Sequence, residues 1–115
     1  MKAILLYADG KTSDINVTGG YKQLQQCVGG LIDAVTNHDE GISGYVNDEG
    51  LLIGLPLNPI ASILFGRYLV GDVVVCGAVD DDGNDTDVPE IAERIISMHQ
   101  TVMAMHNDFI RESVG

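Results

Sequence analysis

Residues able to do chemistry are few in this 115-residue chain, and they are poorly clustered. The densest group is Asp80-Asp81-Asp82-Gly83-Asn84-Asp85-Thr86-Asp87, whose carboxylates suggest a calcium loop. With Asp80 as first ligand, however, Asp85 falls where an EF-hand loop needs glycine, and Ile91 falls where it needs a bidentate glutamate. A solvated acidic turn is the reading that remains. His99 and His106 stand seven residues apart, about 10 Å along one helical face. One ion cannot bridge them within a chain, and the i, i+4 spacing of a helical zinc pair is missing. Cys27 and Cys76 lie in apolar surroundings with no neighbouring base, so they read as reduced core residues. Ser13, Ser43, Ser62, Ser97 and Ser113 lack the surroundings of a nucleophile elbow. Gly29-Gly30 looks like a phosphate cradle, but it follows a helical segment instead of opening one. These residues require no cofactor and no metal, and they support a non-enzymatic protein.

A binding site is a separate matter. An anionic ligand such as a nucleotide would settle only where the few cations gather, assisted by backbone amides at a helix start. Asn58-Pro59 has the form of such a start: Asn caps the free amides and Pro fits the first turn. Arg67 follows directly after that helix, and Asn47 lies in the turn ahead of it. The candidate ligand-binding set is therefore Tyr45, Asn47, Asn58 and Arg67, with Arg94 supplied by a second subunit. The competing role for Arg67 is an ion pair with a nearby acid such as Asp72.

The elements that must position these residues follow from patterning. Lys2–Ala8 reads as a strand and Asp9-Gly10 as a hairpin turn, with Thr12–Val17 returning antiparallel. Tyr21–Val28 carries Tyr21, Leu24 and Val28 on one helical face, and Gly29-Gly30 stops it. Leu31–Val35 and Ile42–Val46 are strands. Asn47-Asp48-Glu49-Gly50 then predicts a hairpin turn, with Leu51–Leu55 pairing back. A short helix spans Pro59 to Gly66, and Asp72–Val79 is the most strand-like run in the chain. The fold class is α+β: a mainly antiparallel sheet of about five strands, two short helices and a long C-terminal helix over residues 89–112. Asp87 is its expected cap.

Along that last helix the apolar residues Ile91, Ile95, Met98, Val102, Met105 and Phe109 recur at steps of four and three, the pattern of a coiled-coil seam. A second row, Ala92, Ile96, His99, Met103, His106 and Ile110, runs beside it. Together the rows cover roughly 160° of the helix, where packing on one sheet needs only about 100°. The excess predicts an oligomer interface with the same helix of another copy, within a single domain (1–87 core, 88–115 helix).

Seventeen acidic residues against six basic ones give a net charge of −11. That charge excludes direct contact with nucleic acid or an anionic membrane, both of which demand clustered Lys and Arg. No apolar run is long enough to span a bilayer, and the Met1–Tyr7 segment is too short to be a signal peptide. The expected location is the cytoplasm.

Val28-Gly29-Gly30-Leu31-Ile32, Val46-Asn47-Asp48-Glu49-Gly50, Gly54-Leu55-Pro56-Leu57-Asn58-Pro59-Ile60-Ala61 and Val70-Gly71-Asp72-Val73-Val74-Val75-Cys76-Gly77 occur in a characteristic order and spacing. In this the chain resembles the small phage and plasmid proteins grouped as domain-of-unknown-function family 3846, over about residues 1–90. The resemblance implies a compact α+β protein of mobile genetic elements, in a host cell's cytoplasm, with no catalytic residues to carry over. It leads to the expectation of a counter-defence protein that sequesters a host signalling nucleotide or blocks a host defence protein. The alternative is an acidic accessory protein that binds a basic host protein by imitating nucleic-acid charge.

Overall fold

The computed structural model describes residues 1–114, with side chains to residue 111. In chain order the elements are β1 (Lys2–Leu6), β2 (Thr12–Asn16), α1 (Gly20–Val28), β3 (Ile32–Asn37), β4 (Ile42–Asn47), α2 (Pro59–Phe65), β5 (Val73–Gly77) and α3 (Glu90–Val114). The strands form one five-stranded sheet in the order β2-β1-β5-β4-β3. All four neighbouring pairs are antiparallel. The α+β architecture, with two short helices and one long one, is the one the patterning predicts.

The sheet is covered on both faces, which explains the uninterrupted Val73-Val74-Val75-Cys76 run of the central strand β5. Side chains alternate across a strand. Ile4, Leu6, Val35, Ile42, Val73 and Val75 therefore point to one side, where α2 and α3 bring Ile60, Leu64, Phe65, Ala92 and Ile96. Ala3, Val74 and Cys76 point to the other, under Leu24 and Val28 of α1. Cys27 and Cys76 are free thiols in this second layer. Gly44 in β4 is required by packing, since a Cβ there would lie 2.7 Å from the Phe65 ring and 2.9 Å from the Val74 carbonyl.

Three local expectations are corrected. Leu51–Leu55 is not a return strand: residues 47–55 form successive turns, with Gly50, Ile53 and Leu55 amides donating to the Asn47, Glu49 and Gly50 carbonyls. The reason is topological. Both edges of β4 are already taken by β3 and β5, so no partner is left for a following strand. Asp87 does not cap α3; its carboxylate accepts the Lys2 amide at 2.8 Å and ties the approach to the helix to β1. Finally, Ile91 and Ile95 are not free seam residues. They are half-buried against the protein's own core, while Met98, Val102, Met105 and Phe109 of the same row stay exposed.

Candidate functional site

Arg67 and Tyr68 sit on the short link between α2 and β5, and a local network fixes them. Gly66 takes the left-handed conformation (φ 67°) that ends α2 and turns the chain back. Ser62 locks the base of the link: its hydroxyl donates to the Asn58 carbonyl at 2.7 Å and accepts the Leu69 amide at 2.9 Å. The Asn58 amide in turn donates to the Leu69 carbonyl at 2.9 Å. The Arg67 guanidinium, among the described residues, enters no ion pair. Asp72, its expected partner, accepts the Ala8 amide at 3.0 Å instead.

Beside this link is a recess of about 310 Å³, lined by Arg67 and Tyr68 of the link, by Asp48, Leu51 and Leu52 of the loop after β4, and by Asp33 of β3. Asn47 forms the end of β4 at its floor. It is buried, donating to the Val28 carbonyl at 3.1 Å and accepting the Glu49 amide at 2.8 Å, so it holds the turn rather than offering free polar atoms. The Asp48 amide donates to the carbonyl of Leu31, the residue before β3, at 2.8 Å and anchors the loop there. The loop's tip is strongly apolar and open: Leu52 is 88% exposed, Leu51 and Ile53 are also exposed, and Tyr68, which lines the same recess as Leu51 and Leu52, is 64% exposed. One cation, one free aromatic ring, two carboxylates and an apolar lip thus meet in a concave site.

The five residues expected at a ligand site are not brought together. Asn47 and Arg67 share the recess. Asn58 is fully buried; its Oδ1 accepts the Ala61 amide at 3.1 Å, and its Nδ2 donates to the Leu6 and Gly71 carbonyls at 3.1 and 2.9 Å. It is a cap and a core crosslink, out of a ligand's reach. Tyr45 faces the α1 side of the sheet, where its hydroxyl donates to Asp85 at 2.6 Å. Burial, reinforced by the Asp85 carboxylate, pushes this phenol well above the ordinary tyrosine range, so it stays a neutral donor. Arg94 lies on the surface of α3 and pairs with Glu90 at 2.7 Å. The acidic turn is closed by Asp80, which accepts the Asp82 and Asn84 amides, both at 2.9 Å. Among the described residues no group of three or more His, Cys, Asp or Glu is placed to hold a metal ion.

Sequence reasoning missed Tyr68, Asp33, Asp48 and the Leu51–Ile53 lip. A signal for the lip was present: an apolar run framed by Gly50 and Gly54 and followed by Pro56 is poor strand material.

Of the residues lining the recess, Val46, Asn47, Asp48, Gly50 and Val70 belong to the characteristic motifs, and the family profile for "Domain of unknown function (DUF3846)" matches residues 1–100. The chain belongs to that family. The DUF3846 match takes in the whole sheet, α1, α2 and the part of α3 that packs on the sheet, ten residues beyond the span read from the motifs. No curated protein and no solved structure matches the chain. Among the described residues no helix is long and apolar enough to cross a membrane.

Proposed function

We propose that this DUF3846 protein is a non-catalytic binding protein of a phage or other mobile element, which sequesters a small host signalling nucleotide in the Arg67–Tyr68 recess. The observation that carries this reading is a guanidinium that is unpaired among the described residues, next to an exposed tyrosine, both lining a concave site. Guanidinium recognises phosphate through paired N–H donors, and the ring offers a stacking face to a base. Asp33 and Asp48 disfavour a bare phosphate, but they accept hydrogen bonds from ribose hydroxyls or an exocyclic amine. A recess of about 310 Å³ is at the small end of ligand sites, so it suits one nucleotide unit, with any further unit lying across the apolar lip. The setting in a mobile element, and hence counter-defence, is supported by the kinship of the motifs.

Native mass spectrometry after incubation with mononucleotides, linear dinucleotides and cyclic dinucleotides tests the proposal. Retention of one such species, lost in Arg67→Glu, supports it. Binding of none, together with capture of a basic protein by the acidic Asp80–Asp87 turn, would support charge mimicry instead; a net charge of −11 favours that second reading.

A further inference from the structure

The distal half of α3 leaves the body of the protein. Among the described residues Gln100 is the last to bond to it, donating to the Gly10 carbonyl at 2.8 Å, and Met103 packs beside Gly10 and Ile60. From residue 104 to residue 111 every side chain is exposed. Four of the seam residues are large, apolar and more than half exposed: Met98 (57%), Val102 (56%), Met105 (66%) and Phe109 (68%). We infer that this surface binds a second copy of the chain through an antiparallel pairing of the two α3 helices, with Met98 of one copy against Phe109 of the other and Val102 against Met105.

Three observations select this occupant and this direction. The first is charge. The chain carries seventeen acids in 115 residues, yet Ile95 to Asn107 contains no Asp, Glu, Lys or Arg. Two copies of so acidic a protein repel each other except along a surface cleared of charge, and the cleared window holds Met98, Val102 and Met105 of the exposed seam, with Phe109 just beyond it. The second is spacing. The steps 98, 102, 105, 109 are four, three, four, a series that reads the same in both directions. An antiparallel partner therefore places all four side chains opposite members of the same set, with Thr101 of one copy beside Asp108 of the other and His99 beside His106. The third is the position of the body. Ile91 and Ile95 on the same seam are held by the protein's own core. A parallel, in-register partner would bring its body to the same level, where the two collide, whereas antiparallel helices put the bodies at opposite ends and also oppose the helix dipoles.

The size is consistent with a reversible dimer. Roughly 150 Å² per fully covered side chain, the lower end for aromatics, is an upper figure for Met and Val. Four of them, over half exposed, then give about 750 Å² across two copies, below the range of stable interfaces and in that of weak, reversible ones.

Cysteine crosslinking tests the direction. In a Cys27→Ser background the only remaining thiol, Cys76, is buried. Thr101→Cys and Asp108→Cys are seven residues apart on one helix and too distant to join within a chain. Under mild oxidation the double variant should form a covalent dimer and each single variant should not. Met98→Cys should also fail, because in the antiparallel register residue 98 lies eleven positions, about 16 Å, from its own counterpart, whereas a parallel pair brings the two together. Light scattering at high micromolar concentration should give a dimer mass for the natural chain and a monomer mass for Val102→Glu with Met105→Glu. Both positions are exposed, so circular dichroism should show an unchanged fold. A monomeric natural chain, a dimer that survives the double Glu substitution, or efficient crosslinking of Met98→Cys would each overturn the inference.

Discussion

Replacing Asn58 by alanine probes the densest polar crosslink in the protein. The side chain is fully buried and uses both of its ends: Oδ1 accepts the Ala61 amide, and Nδ2 donates to carbonyls of β1 and of the link before β5. Loss of the cap alone costs about 1 kcal/mol. The Leu6 and Gly71 carbonyls then lose a buried donor, at about 1 kcal/mol each if the lower end of the range for unsatisfied groups applies. The expected total is roughly 3 kcal/mol, a large part of the 5–15 kcal/mol that stabilises a domain of this size. Urea denaturation followed by circular dichroism gives the value, with the slope held constant. Asn58→Asp is the informative companion: it keeps the capping oxygen but turns a second oxygen toward two carbonyls, so it should be no more stable than Asn58→Ala. A loss of 1 kcal/mol or less in Asn58→Ala would refute the reasoning, because the cap alone would then account for the residue.

Further expectations concern the sheet. Gly44→Ala should destabilise by about 1–3 kcal/mol through overpacking against Phe65, read as a lower urea midpoint. Tyr45→Phe removes the bond to Asp85 and should cost about 1 kcal/mol, with faster amide exchange in residues 80–87. Burial, aided by the Asp85 carboxylate, pushes the Cys76 thiol up to about 12 from an ordinary 9.0. The folded state thus holds this proton more tightly than the unfolded state, so stability is complete below pH 9 and falls as pH rises toward 12. By pH 10 the loss from this group should approach 1.4 kcal/mol, and Cys76→Ala should flatten that part of the profile. A thiol reagent at pH 8 should label Cys27 in the folded protein and reach Cys76 only on unfolding.

Much of the sheet was legible because its signals are local. Asp9-Gly10 makes the β1–β2 turn with Gly10 at φ 92°, Gly29 and Gly66 end their helices in the left-handed conformation, and Asn58-Pro59 opens α2. What failed depended on partners far away in the chain. Leu51–Leu55 has strand-like composition, but nothing local reveals that β5, twenty residues later, occupies the open edge of β4. Asp87 is a reasonable cap until the Lys2 amide, 85 positions earlier, claims it. The alternation of β4 puts Tyr45 and Arg67 on different surfaces, and that alternation was readable; which face α2 covers was not. Asn58 shows the same divide: its capping role follows from the next residue, while its bonds to Leu6 and Gly71 follow only from the assembled sheet.

The central claim is that Arg67 and Tyr68 hold a nucleotide. The most direct measurement is native mass spectrometry of the natural chain and of Arg67→Glu, each incubated with the same mixture of mono-, linear di- and cyclic dinucleotides, with thermal melting recorded in parallel. The guanidinium is exposed and unpaired among the described residues, so its reversal should leave the melting midpoint unchanged. The account predicts one retained nucleotide per chain for the natural protein and none for Arg67→Glu at equal stability. Equal retention by both proteins, or no retention by the natural chain, would contradict it.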